Sequence, residues 1–198
     1  MIASASRFAA VAALAFLTGC SSIHYMSNSS AGSELSSQQK ASLQAKKSAV
    51  PCRVEIICPS DMAGKYDSFF SSAVCHYPLE QVLEQCFSNA VYCAFEQPGG
   101  EVLDAFTLKV EVYKSELSMD SSEAVYSVSL NLTFEEPGEK KVTSFSIEKT
   151  ITAPMGEAGP KAVPAAVYEA IKAAAIDSIA KLRSEAKVIK TVKRFEKK

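Results

Sequence analysis

Tryptophan is absent from the 198-residue chain, histidine occurs only as His24 and His76, and glycine and proline contribute eight residues each. So few imidazoles exclude a multi-histidine metal centre. Zinc would need two ligand pairs at short spacing, whereas Cys52 and Cys58 stand six apart with no second pair to match. No glycine-rich run of the kind that cradles phosphate is present, and the carboxylates form no obvious catalytic pairing. The apolar run at the start, Phe8 to Phe16, falls far short of the roughly 20 residues that a membrane-spanning helix needs. Metal, nucleotide and carboxylate-pair catalysis are thereby disfavoured, and no cofactor is expected.

What is present starts with that run. It follows a single base, Arg7, with no acid before it, and ends at Leu17, Thr18, Gly19, Cys20, followed by the polar Ser21 and Ser22. Charged, apolar and small-residue regions in this order make a secretory signal. The Leu17–Cys20 stretch resembles the lipobox of bacterial lipoproteins, in which the cysteine is acylated and becomes the first residue of the mature chain. The resemblance implies that residues 1–19 are removed and that Cys20 is a membrane tether. Each buried methylene contributes about 0.8 kcal/mol, so several acyl chains such as palmitate anchor stably where one does not. Ser21, standing where Asp would retain a lipoprotein at the inner membrane, resembles the sorting signal for the outer membrane of enteric-type bacteria.

The mature remainder is long enough for one domain with a core and a tether. Hydrophobic residues at 47% and charged residues at 22% are ordinary globular values, and a net charge of −1 selects no partner. Residues 20–50 are rich in Ser and Gln without sustained apolar periodicity, the composition of a flexible tether. The folded domain is expected over 51–198.

From Cys52 to Cys58 strict alternation predicts a strand with Cys52, Val54, Ile56 and Cys58 on one face. Residues 60–77 are expected as a loop carrying the adjacent Phe69 and Phe70, which form either a core lid or a partner contact. Leu79, Val82, Leu83, Cys86, Phe87 and Ala90 repeat at helical spacing behind Pro78. Phe106 to Val112, Ala124 to Phe134 and Phe145 to Ile151 alternate as three strands of an antiparallel meander, with Lys149 interrupting the last. A final helix from Pro164 carries Val167, Ile171, Ala175, Ile179, Leu182, Ala186 and Ile189 at helical spacing. If continuous to Phe195 it would be about 48 Å long, against about 37 Å for an eleven-residue strand, so its end should overhang. The order β-α-β-β-β-α predicts an α+β two-layer sandwich, a four-stranded mixed sheet with two helices on one face. The first strand should lie parallel to its neighbour by a right-handed crossover.

Five cysteines remain beyond Cys20, an odd number in an oxidising compartment. The favoured pairs are Cys52 with Cys93, and Cys58 with Cys75 or Cys86. Closing the loop between Cys52 and Cys93 would stabilise by about 4 kcal/mol on the chain-entropy model. Cys75 beside His76 offers a remote thiol-enzyme reading, set against the poor geometry of adjacent side chains. From Lys181 onward eight bases face only Glu185 and Glu196. Lys187, Lys190, Lys193 and Arg194 are therefore either a solvated helix end suited to the helix dipole or contacts for an anionic surface.

The element order, the lipobox, the strand Val54–Ile57 and the Ala-rich closing helix together resemble small α+β outer-membrane lipoproteins. Among these are the lipopolysaccharide-assembly lipoprotein family and the auxiliary lipoproteins of lipid-transporting ABC systems. The resemblance implies a non-enzymatic accessory on the periplasmic side of the outer membrane. Its partner would be a barrel protein or transporter subunit, with lipopolysaccharide or cell wall as further contacts and no nucleic acid. A structural tether gripping the wall or a secretion complex is the alternative.

Overall fold

The computed structural model describes residues 24–25, 30–59, 64–67, 74–99, 104–119, 122–155 and 162–197. In chain order the elements are β1 (His24–Tyr25), α1 (Ser30–Ser33), α2 (Ser37–Gln44), β2 (Cys52–Ile57), β3 (Gly64–Asp67), β4 (Val74–Tyr77) and α3 (Leu79–Ala94). They continue with β5 (Phe106–Met119), β6 (Glu123–Glu136), β7 (Lys140–Pro154), α4 (Ala162–Ser184) and α5 (Ala186–Phe195).

The alternating segments become a four-stranded sheet in the order β2-β5-β6-β7. β2 runs parallel to β5, with Cys52 opposite Phe106, and β5, β6 and β7 form the antiparallel meander. This is the α+β arrangement that the sequence implies, with α3 and α4 covering one face. Ala124, Tyr126, Val128, Leu130, Leu132 and Phe134 of β6 are all fully buried, because both neighbouring strands and the helical layer enclose that face. The polar intruder on β7 is accommodated: Lys149 pairs with Asp177 of α4.

Two irregularities shape the sheet. Between Val112 and Lys114 the β5 register shifts, leaving Tyr113 as the extra residue, 70% exposed. A bulge of this kind returns the following residues to the proper face, so Ser115 comes inward and its hydroxyl lies 3.0 Å from that of the buried Tyr126. At the β6–β7 turn Gly138 and Glu139 adopt φ values of 87° and 60°, which glycine takes without steric cost.

Three expectations need correction. The segment expected as a tether is, over residues 32–50, part of the folded layer: Leu35, Leu43 and Val50 are buried. Ser36 caps α2 by accepting from Gln39 N at 3.2 Å, while Gln39 Oε1 accepts from Ser36 N at 2.8 Å. This reciprocal box satisfies two orphan donors and starts the helix in spite of a polar composition. At Gly32 a Cβ would stand 2.6 Å from the Tyr168 ring, so α1 approaches α4 as only glycine permits.

The expected loop over 60–77 contains β3 and β4, an antiparallel pair, with β1 parallel to β4. Phe69 and Phe70 lie outside the described residues, as does Cys20.

The closing helix is not continuous. Glu185 is extended (φ −78°, ψ 121°), and the chain turns there to lay α5 back on the domain. Ser184 donates to Lys181 O at 2.8 Å, and Glu185 Oε2 accepts from Thr143 Oγ1 at 2.5 Å. A straight helix would leave the stripe Val188, Val192 and Phe195 in water. Folding back buries both valines and sets the Phe195 ring edge-on to Phe106 at 5.1 Å. Full burial of one such side chain is worth roughly 1.5–3 kcal/mol.

Candidate functional site

The folding back of α5 creates the feature with most chemistry. Between α5, the end of α2 and the end of α3 lies a notch of about 270 Å³, lined by Lys46, Lys47, Ser48, Phe95, Arg183, Val188, Ile189, Val192, Lys193 and Glu196. Phe95, Val188 and Val192 are buried and form its floor, while Ile189 is 38% exposed at the mouth. The wall is fixed by backbone and side-chain bonds. Ala94 O, at the carboxyl end of α3, accepts from Ser48 N at 2.9 Å and from Arg183 Nη2 at 3.1 Å. That guanidinium is partly buried, and loss of solvent lowers its basicity, yet an arginine side chain stays cationic at any physiological pH.

Four bases therefore surround an apolar floor. The one carboxylate among them, Glu196, is turned to structural use: its Oε1 accepts from Ser48 Oγ at 2.7 Å and from Ala49 N at 3.4 Å.

The bases singled out in the sequence separate into two groups. Arg194 is engaged with Glu136, which also faces Lys140 Nζ at 3.6 Å. Lys187, Lys190 and Lys193 remain exposed on α5. Only Lys193 belongs to the notch. Arg183 belongs to the eight bases from Lys181 onward, whereas Lys46 and Lys47 carry no signal in the sequence. The signal for them is tertiary, since three distant segments must meet before the cations converge.

The cysteines behave differently from the expectation. Cys52, Cys86 and Cys93 are free thiols, so neither the Cys52–Cys93 bridge nor the Cys58–Cys86 bridge is formed. The backbone neighbourhood is as expected, for Cys52 N donates to Glu96 O at 3.0 Å beside the end of α3. Cys52 Sγ lies 3.6 Å from Arg53 O, and Cys58 Sγ lies 3.9 Å from Pro59 O. The expected pairing of Cys58 with Cys75 of β4 lies outside the described residues.

Burial raises the Cys52 thiol pKa far above its usual value. It pushes that of Cys86 up to about 12, with Lys172 of α4 opposing and Glu169 adding to the shift. Buried thiols of this kind are poor nucleophiles. Among the described residues no group of three or more His, Cys, Asp or Glu side chains is placed to hold a metal ion. No described helix is long and apolar enough to cross a membrane.

Two other surfaces carry polar side chains. The outer sheet face is a polar lattice, with Ser127 and Thr150 hydroxyls 2.8 Å apart, Ser146 donating to Asn131 at 2.7 Å, and Lys109 3.0 Å from Glu135. A second cleft, about 510 Å³, lies between α1 and α3 and is lined by Ser33, Glu34, Glu84, Gln85, Ser88, Asn89 and Tyr92. Asn89 spans it, donating to Ser33 O at 3.1 Å.

No family model matches the chain, and no curated protein is similar to it in sequence. Solved structures similar in fold include a DUF330-family protein of Xanthomonas campestris, 13% identical, covering 68% of this chain and 83% of that one with a TM-score of 0.49. A minor lipoprotein of Acinetobacter baumannii is 14% identical, covering 67% and 91% with a TM-score of 0.39. The rare lipoprotein B of Shewanella oneidensis is 15% identical, covering 67% and 93% with a TM-score of 0.38.

Proposed function

We propose that this chain is a lipid-anchored, non-enzymatic lipoprotein of the bacterial envelope, acting as an accessory in outer-membrane assembly or in lipid or lipopolysaccharide transport. The observation that carries the reading is the stretch Leu17, Thr18, Gly19, Cys20 at the end of a short apolar run that starts with a base and no acid. Acylation of Cys20 holds the domain at the membrane, on the periplasmic side of the outer membrane by the Ser21 signal. Its work there is binding, through surfaces offered to a barrel protein or transporter subunit. The inert, buried Cys52 and Cys86 support a role for these thiols in packing instead of chemistry.

Metabolic labelling with an alkyne fatty acid should mark the chain and be lost in Cys20→Ser. Crosslinking in living cells followed by purification from outer membranes then tests the accessory role. A barrel protein or transporter subunit recovered in fixed proportion is the expected result.

The exposed row Lys187, Lys190 and Lys193 favours a second reading, a structural tether to an anionic wall polymer. Recovery of wall fragments alone, with sedimentation on purified wall abolished when those three lysines are changed to Gln, would select it over the accessory role.

A further inference from the structure

We infer that the notch between α2, α3 and α5 is a binding site for the head of an anionic amphiphile, a phosphate or carboxylate carried on an alkyl chain. The choice of a membrane amphiphile as ligand rests on the envelope reading above; the charge and shape do not. The site joins two properties that seldom coincide on a solvated surface. Its floor is apolar and buried, and its rim holds Lys46, Lys47, Arg183 and Lys193 against the single carboxylate of Glu196. That carboxylate is already satisfied by Ser48 and Ala49, so the rim keeps a surplus of positive charge.

A purely solvated cluster of lysines has no reason to surround an apolar floor, and a purely structural groove has no reason to collect cations that repel one another. Arg183 is placed to do most for an anion. Its guanidinium carries five N–H donors, of which Nη2 holds Ala94 O, and in a partly desolvated setting its attraction to an oxyanion is strengthened. The lysines act as mobile point charges around it. Ile189 at the mouth gives the first methylenes a wall on the way out. A cavity of about 270 Å³ lies near the lower end of small-molecule sites. It suits one head group and a short length of chain, with the rest of the chain outside.

The test uses the full acylated chain held in phosphatidylcholine nanodiscs and a dodecyl phosphate bearing a diazirine, with labelled peptides mapped by mass spectrometry. Label is expected on α5 and the end of α2. It should fall tenfold or more in Lys47→Gln/Lys193→Gln, both exposed positions that leave the thermal melt unchanged, and again in Ile189→Trp, which blocks the mouth. It should weaken as salt is raised. No label at these peptides, or label retained in both variants, overturns the site. Equal labelling by the corresponding dodecyl maltoside probe shows an apolar patch without head-group recognition, which also overturns it. Full displacement by equimolar inorganic phosphate makes it a free-phosphate site and overturns the amphiphile. The assay needs no partner protein, so a failed co-purification leaves this site standing, and a failed labelling leaves the accessory role standing.

Discussion

α4 and α5 are adjacent in the chain and almost continuous in apolar spacing, yet they are held in different ways. Thirteen of the 23 residues of α4 are buried, against two of the ten in α5. α4 therefore depends on a packed interface with α3 and the sheet. α5 depends on a thin apolar stripe and a few polar ties, Arg194 to Glu136 and Glu196 to Ser48. The first kind of contact specifies a position and resists opening; the second leaves an element that can be loosened without unfolding what lies beneath it. The exposed cations and the notch belong to the second.

The largest effect should come from the interior of α4. Leu182→Ala removes a fully buried side chain and should cost about 2–5 kcal/mol in urea unfolding; a loss below about 1 kcal/mol would erase the contrast between the two helices. Next comes alkaline pH, which acts at the α3–α4 interface. The Cys86 thiol ionises near its ordinary 9.0 when unfolded but at about 12 in the folded chain. The folded state thus keeps its proton where the unfolded state releases one, so the stability this group contributes is full below pH 9 and declines between pH 9 and 12. The slope is up to about 1.4 kcal/mol per pH unit for one thiol. Cys86→Ala should flatten that decline, read by denaturation at each pH.

Glu136→Gln probes α5. Its carboxylate is only 9% exposed and receives both Arg194 and Lys140. Amide exchange along α5 should accelerate about tenfold, corresponding to about 1.4 kcal/mol, with α4 amides unchanged. Acceleration shared equally by both helices would mean that they open as one unit. The smallest effect is expected for Asp177→Asn. The ion pair with Lys149 is 30% and 50% exposed on its two sides, and such pairs are worth at most about 1 kcal/mol.

Legibility in the sequence follows the same division. The sheet could be read because β6 has two chemically distinct faces, with Ala124 to Phe134 buried at every second position and Ser127, Asn131 and Thr133 between them. The parallel placement of β2 followed from a crossover rule and one intervening helix. The break at Glu185 could not be read, because Leu182, Ala186 and Ile189 keep the helical spacing across it and neither glycine nor proline marks the turn. Its causes are the long-range ties from Thr143 and Glu136 and the burial of Phe195 on Phe106. Periodicity accordingly placed Ile189 inward, where the structure puts Val188 and Val192 instead.

Composition marks residues 32–50 as a tether because Leu35, Leu43 and Val50 are too widely spaced to announce a core without the helices they meet. The thiols show another limit, since compartment chemistry predicts oxidation whereas Cys52, Cys86 and Cys93 are free.

The parallel pairing of β2 with β5 has a kinetic consequence. Arg53 and Thr107, joined by a 2.9 Å hydrogen bond, are 54 positions apart, whereas β5, β6 and β7 pair across short turns. Closing the longer loop carries a larger entropic cost before any contact repays it. The meander should therefore assemble early and wait with its β5 edge open until β2 arrives with α3. During that interval the folding chain exposes an unpaired strand row able to recruit a wrong neighbour. That exposure is confined to folding, because β2 covers the β5 edge in the finished sheet.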